Sequence, residues 1–199
     1  MTDPLVKSLR DALDHPSQGA VERSRRRVQA WFVETAPLIR WDVLETPLGP
    51  LHIAASERGL CRVDLGLRRD VFLTLLDPLA RTERDVSTLK SMMTQFRAYF
   101  ANPRMRFDLP LDLSHVRPFQ RRVLETVAAI PAGTVWTYRQ VASAIGKPSA
   151  SRAVGHALST NPLMIVLPCH RVIGSDGSLH GYRGGLDAKR WLLQMEGAL

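Results

Sequence analysis

Chemistry in this sequence concentrates at Cys169, which is followed at once by His170 and Arg171. A cysteine attacks as its thiolate, and an ordinary pKa of about 8.5 leaves little of that form near neutrality unless a base or a cation assists. His170 is the nearest base in the sequence. On an extended backbone, neighbouring side chains point to opposite sides, so a direct Cys169–His170 bond is not expected. A bridging water or a turn at Pro168 would have to couple them. Glu196, five residues beyond Trp191 on a closing helix, would fix the tautomer of His170 and strengthen it as a base if it reached the far ring nitrogen. The plain alternatives are a core cysteine beside a surface histidine, and a glutamate facing solvent. Tyr138, Arg152 and Asn161 also have ordinary readings, as an amphipathic core tyrosine, a solvated arginine and a helix-stop asparagine.

The elements that must position these residues fall into two textures. From Leu38, short apolar stretches at Ile39 to Leu44, Leu51 to Ala55 and Leu60 to Leu65 are separated by the turn-forming Pro47-Leu48-Gly49-Pro50 and Glu57-Arg58-Gly59, which predicts a three-stranded meander. Leu89, Met92 or Met93, Phe96 and Phe100 recur at spacings of three and four, predicting a helix over Val86 to Phe100. A small antiparallel sheet backed by a helix follows. Pro103 and the segment Phe107 to Leu113 read as a strand remnant leading into a linker. The pattern then becomes mainly helical. Phe119, Val123, Val127 and Ile130 mark one helical face, opened by Pro118 and closed by Pro131-Ala132-Gly133.

Thr137 and Gln140 have the side chains of a capping box, which predicts a short helix ending at Gly146. Ser149 reads as the N-cap of the next helix, which Asn161-Pro162 stops. Two short helices joined by a tight glycine-containing turn make a candidate helix-turn-helix. Leu163 to Leu167 is an apolar run of buried-strand or buried-loop type that delivers Cys169 into a loop dense in glycine. A final helix runs over Asp187 to Glu196, with Gly197 as its cap. This organisation divides the chain into an arginine-rich extension (1–35), an α/β domain (36–112) and a catalytic domain (113–199). The extension reads either as a short helix lying on the first domain or as a mobile basic arm.

Composition bounds the function. The net charge is +8, and it is uneven: residues 1–112 hold 17 basic and 15 acidic groups, residues 113–199 ten and four. A basic surplus in the smaller part suits a surface that meets phosphates, although basic surfaces also serve acidic partners or plain solubility. No apolar run is long enough to span a bilayer, and Met1 to Asp14 lacks the apolar stretch of a signal peptide, so a cytoplasmic protein with no membrane partner is expected. Cys61 and Cys169 lack the close Cys and His neighbours of a zinc site, and both are expected to be free thiols.

The string Pro168-Cys169-His170-Arg171-Val172-Ile173 resembles the active-site signature of the methylated-DNA protein-cysteine methyltransferases, the O6-alkylguanine-DNA alkyltransferases. Thr137 to Ala142, Ser151 to Gly155, Asn161-Pro162, Gly181 to Gly185 and Trp191 to Gly197 resemble the other blocks of that family in the same order. The similarity reaches back to Thr46 to Leu51 and covers about residues 38–197. It implies an α/β fold with a ribonuclease H-like N-terminal domain, then a winged-helix-like domain with a helix-turn-helix. It implies single-turnover repair, in which a flipped-out O6-alkylguanine, or O4-alkylthymine, loses its alkyl group to Cys169 by thiolate displacement.

The same resemblance assigns roles residue by residue. Cys169 is the acceptor, with His170 and Glu196 activating it. Arg152 is the finger that enters the base stack through the minor groove, and the small Ala150, Ser151, Ala153 and Gly155 let its helix approach. Tyr138 crowds the target's 3′ phosphate and bonds the guanine edge; Asn161 ties together the backbone of the active loop. The base pocket is formed by Val172, Met164, Tyr182 and Arg183, with carbonyls of Cys169 and Val172 reading the guanine amino group and the N–H of Arg183 facing O6. No cofactor and no metal are implied, since Cys61 has no partner cysteine of the kind that binds zinc in some members. The expected partner is double-stranded DNA bound by a monomer, with cooperativity along the duplex left open. An extension of about 35 residues is too short for the extra modules of the family's self-methylating regulators. Two rivals remain at this point: an alkyltransferase-like lesion binder, against which the presence of Cys169 argues, and a cysteine hydrolase built on Cys169, His170 and Glu196.

Overall fold

The structure, a computed structural model, describes residues 18–199, and these fall into two compact units on either side of the Pro37–Leu38 junction. In the first unit, helix α1 (Gln18–Thr35) carries the arginine run, with Arg26 paired to Glu22 one turn away at 3.3 Å. The extension is therefore helical over this stretch. The leader reading of Met1 to Asp14 falls outside the described residues.

The second unit opens with the expected meander, β1 (Leu38–Thr46), β2 (Gly49–Ser56) and β3 (Gly59–Leu65), in antiparallel register from Thr46↔Gly49 through Ser56↔Gly59. A fourth strand, β4 (Arg81–Arg84), pairs parallel with β1 and makes the sheet mixed. Its sequence, Arg-Thr-Glu-Arg, has no apolar alternation, because an exposed edge strand needs none. Strand parity sorts the sheet's two faces. Leu44, Leu51, Ile53 and Ala55 join the main core with Leu89, Met93, Phe96 and Tyr99 of helix α3 (Val86–Ala101), whereas Ile39, Trp41 and Ala54 meet Phe72 of α2 (Arg69–Thr74). Asp85 caps α3 by accepting from the amides of Ser87 and Thr88.

Beyond it lie α4 (Pro118–Ala128), β5 (Trp136–Thr137), α5 (Tyr138–Ala144), α6 (Ser151–Ser159), β6 (Val172–Ile173) and α7 (Leu186–Met195). The capping box forms as expected: Thr137 accepts from the Gln140 amide at 3.1 Å and Gln140 accepts from the Thr137 amide at 2.6 Å. Ser149 does not cap the next helix, which begins two residues later with Ala150 at the cap position and no side-chain cap. Lys147 to Ala150 instead close a turn through the Ala150 N–H bonded to the Lys147 carbonyl at 2.8 Å, leaving Ser149 outside. The helix-turn-helix is thus α5 and α6, and β5 pairs parallel with β6 beside it. No helix among the described residues is long and apolar enough to cross a membrane.

The outer edge of β3 is where the two textures meet. Leu60 bridges Leu111, and Val63 bridges Leu163, so the linker and then the loop before Cys169 cover that edge in turn. One apolar cluster runs from Leu51, Ile53 and Val63 through Val123, Val127 and Val154 to Leu192. The stretch around 112 and 113 therefore crosses a shared core. Gly59 is indispensable to this seam: its φ is +129°, and a Cβ placed there would lie 2.2 Å from the Pro110 carbonyl oxygen. That same oxygen accepts the Leu60 N–H at 2.8 Å. Gly59→Ala should destabilise the protein by about 2 to 4 kcal/mol, combining left-handed strain with the clash. A urea midpoint unchanged from wild type would contradict this role.

Candidate active site

Asn161 and the loop after it deliver the nucleophile. The Asn161 side-chain amide donates to the carbonyls of Leu167 (2.8 Å) and Leu163 (3.4 Å), and its oxygen accepts the Leu163 N–H at 2.9 Å. These bonds coil Leu163 to Leu167 into a buried loop, and Ile165 is held there at a φ of 73°. For a β-branched residue that conformation costs about 1 to 3 kcal/mol. The apolar contacts of the loop and the Asn161 bonds hold it in place. The same Asn161 amide also donates to Cys169 Sγ at 3.2 Å, a contact beyond the loop-tying role read from the sequence.

Cys169–Arg171 form one 3₁₀ turn. The backbone is not extended here, and with about three residues per turn the three side chains fan out in different directions. Cys169 faces a small pocket, His170 faces Glu196, and Arg171 reaches Glu196 and the Ile130 carbonyl. No hydrogen bond joins Cys169 to His170 directly, in keeping with the sequence argument though for a different geometric reason. His170 is fully buried. Its Nε2 lies 3.0 Å from Glu196 Oε1, and its Nδ1 is buried without a protein partner among the described residues.

Glu196 is 2% exposed and takes further donors from Arg171 Nε (2.8 Å, to Oε2), Arg171 Nη2 (2.7 Å, to Oε1) and the Tyr99 hydroxyl (2.7 Å, to Oε1). Burial alone would push its carboxyl up. The bonds from His170, Arg171 and Tyr99 outweigh that and hold it at about 2. His170 is lowered by burial, against the pull of Glu196, so a neutral imidazole is the resting form. Burial raises the Cys169 thiol, opposed by the Asn161 bond and by the positive charges of Lys189 and Arg183. The resting nucleophile is therefore a protonated thiol waiting for a base, unlike a preformed thiolate–imidazolium pair.

The pocket is lined by Tyr138, Gly155, Asn161, Met164, Tyr182 and Arg183 around Cys169, and its volume is about 20 Å³. That is room for about one water molecule. Tyr138 packs against Gly155, where even an added Cβ would stand only 3.7 Å from the ring. The Tyr182 hydroxyl is buried without a hydrogen-bond partner among the described residues. Val172 does not line the pocket; its carbonyl instead accepts from Lys189 Nζ at 2.7 Å. The Arg183 side chain turns away along the pocket wall, donating to the Asn161 carbonyl at 2.7 Å and lying 2.6 Å from Asp64 Oδ1 of β3. Arg152 is exposed on the first turn of α6, with Ala150, Ser151 and Ala153 beside it on the surface.

Three residues of the site were not singled out from the sequence. Lys189 is 1% exposed, bonded to the carbonyls of Val172 and His180, and burial brings it down to about 8. Its spacing of three and seven from Leu192 and Glu196 on one helical face was the available signal. Tyr99 shares the buried stripe of α3 with Phe96, which conceals its polar end. Asp64 sits between Arg62 and Arg183, a pairing that only the β3 seam creates.

Known proteins resemble this chain over both of its halves. The 6-O-methylguanine DNA methyltransferase ribonuclease-like domain matches residues 39–113, and the DNA binding domain of the same family matches residues 118–198. The chain is 40% identical over 158 residues to the methylated-DNA–protein-cysteine methyltransferase of Methanosarcina barkeri, covering 78% of this chain and 96% of that protein. It belongs to that family. The namesake from Mycobacterium tuberculosis is 38% identical over 161 residues, covering 80% of this chain and 93% of the relative. A crystal structure of the Mycobacterium tuberculosis protein in complex with DNA superposes with a TM-score of 0.69 at 34% identity, covering 81% of this chain and 93% of that one. Membership makes this methyltransferase one that takes the group onto its own cysteine.

Glu196 also ties stability to acid. Its folded carboxyl titrates at about 2, below the ordinary value of about 4.3, so its contribution is present above about 4.3 and is lost as pH falls through about 2. The melting-temperature gap between wild type and Glu196→Gln should be widest near pH 6 and narrow steadily below pH 4. A gap that stays constant down to pH 2.5 would contradict the assignment of an ionised carboxylate.

Proposed function

We propose that this protein repairs double-stranded DNA by drawing an O6-alkylguanine out of the helix and transferring its alkyl group irreversibly to Cys169. The observation that carries the reading is a thiol at the wall of a pocket, backed by a buried imidazole whose far nitrogen is fixed on an ionised carboxylate. Ordinary DNA-packing proteins have no use for such an arrangement.

His170, through a water bonded at Nδ1, removes the Cys169 proton, and Glu196 and Arg171 hold the imidazolium–carboxylate charges that result. The sulfur attacks the alkyl carbon, the carbon–O6 bond breaks, and guanine takes a proton as it leaves. Tyr138, a phenol kept protonated by burial and by its nearness to Cys169, supplies that proton at the pocket wall and takes one back from the His170 imidazolium, so that the thiol proton ends on guanine. The thioether formed has no carbonyl for water to attack, so each molecule acts once. Lys189 and Arg183 favour the transient thiolate by their charge.

A purine is much larger than the pocket as it stands, so the segment carrying Gly181, Tyr182 and Arg183 yields when the base enters. Asn161 and the covered β3 edge keep the sulfur in place meanwhile. Arg152, presented by the second helix of the helix-turn-helix among small neighbours, enters the duplex in place of the extruded nucleotide. The basic surplus of residues 113–199 supplies phosphate contacts, whose affinity falls with salt.

Two variants separate nucleophile from finger. Cys169→Ser should bind undamaged duplex as wild type does and capture no labelled methyl from O6-methylguanine DNA; label retained on the serine variant would sink Cys169 as the acceptor. Arg152→Ala should slow duplex repair by about tenfold to a hundredfold, since unstacking a base costs a few kcal/mol, while reaction with free O6-benzylguanine stays near wild type. Equal losses on both substrates would remove the finger role.

A further inference from the structure

The Tyr99 hydroxyl comes from α3, in the stretch matched by the ribonuclease-like domain, yet it ends on the carboxylate that serves the cysteine in the other stretch. Tyr99 is 1% exposed, and its ring packs against Phe100 and Phe107 with centroids 5.5 and 5.4 Å away. A core aromatic would need no more than this. The polar end is different: it donates at 2.7 Å to Oε1 of Glu196, the same oxygen that bonds His170 Nε2 at 3.0 Å and Arg171 Nη2 at 2.7 Å. Three donors thus compete for one oxygen, while among the described residues Oε2 has only Arg171 Nε.

We infer that Tyr99 is a positioning residue for alkyl transfer, setting through Glu196 how strongly His170 holds a proton. Each donor on Oε1 draws charge from it, so the neutral hydroxyl weakens that oxygen as an acceptor for the imidazole. With the hydroxyl present, the imidazolium is less stabilised and His170 is free to act as a base at lower pH. With it gone, more negative charge remains on Oε1, and His170 stays protonated to higher pH. The other groups facing this cluster are the cations of Arg171 and Lys189, the Cys169 thiol and the Tyr182 phenol, none of which the substitution removes. The α/β half is on this reading part of the proton relay, and the stretch 118–198 by itself lacks one of its donors.

The inference rests on the transfer mechanism proposed above, and the test separates the two. Single-turnover rates of the full-length protein with free O6-benzylguanine are measured against pH for wild type, Tyr99→Phe, Glu196→Gln and the double variant. Tyr99→Phe keeps the ring, and its melting temperature reports on packing. Its acid limb should move up by about half to one pH unit, with a several-fold loss of rate near the wild-type midpoint and little loss at alkaline pH. In the Glu196→Gln background the Phe substitution should change nothing further. A rate lowered by one factor at every pH, or an equal effect in both backgrounds, would assign Tyr99 to packing alone and overturn the inference. A Glu196→Gln profile identical to wild type would instead remove the relay itself.

Discussion

A carboxylate with almost no exposure to water must be surrounded by donors, and the rest of this structure is arranged around meeting that demand for Glu196. The donors come from places remote in sequence: Tyr99 on α3, and His170 and Arg171 on the turn after the active loop. Such a cluster specifies geometry as much as it stabilises. Because Glu196 fixes Nε2 of His170, the other ring nitrogen, Nδ1, is left buried without a protein partner among the described residues. Because Arg171 is spent on Glu196 and the Ile130 carbonyl, the 3₁₀ turn that places Cys169 cannot rotate independently of α7.

The same logic governs the opposite side of the thiol. Asn161 connects the strained loop at Ile165 to Sγ itself, and β3 receives that loop along an edge that would otherwise be open. The sulfur is thus held from the Asn161 side, while the glycine-rich stretch opposite is tied by the Arg183 contacts to Asp64 and the Asn161 carbonyl and by Lys189 on the His180 carbonyl. A site built this way can admit a large planar base by moving one wall without displacing the reacting atom. Keeping the thiol protonated at rest also protects a single-use nucleophile from side reactions before a substrate arrives.

What could be read in the sequence was local. The capping side chains of Thr137 and Gln140, Pro118 at a helix start and the short apolar stretches and turn residues of β1 to β3 each state their structure within a few residues, and each forms. Cys169, His170 and Glu196 stand out by type and by their motif. What escaped depends on tertiary partners. Ser149 has the side chain of a cap, but a turn centred on Lys147 takes the chain past it. β4 is an exposed edge strand with no period to detect. Tyr99, Lys189 and Asp64 look like an aromatic in a core stripe, a helix-surface cation and a strand acid until the shared core brings their partners to them. At Cys169 the alternative of a turn at Pro168 is the one that forms, closed by the Arg171 N–H on the Pro168 carbonyl at 3.0 Å, and an extended backbone is not found there.

The central claim is that Glu196 is ionised and holds His170 as a neutral base with its proton on Nε2. Nitrogen-15 NMR of the histidine-labelled protein at neutral pH tests this directly. The account predicts that one histidine, absent from the spectrum of a His170→Gln variant, shows a protonated Nε2 and a bare Nδ1. A His170 resonance with the proton on Nδ1, or a fully protonated ring at that pH, would contradict it.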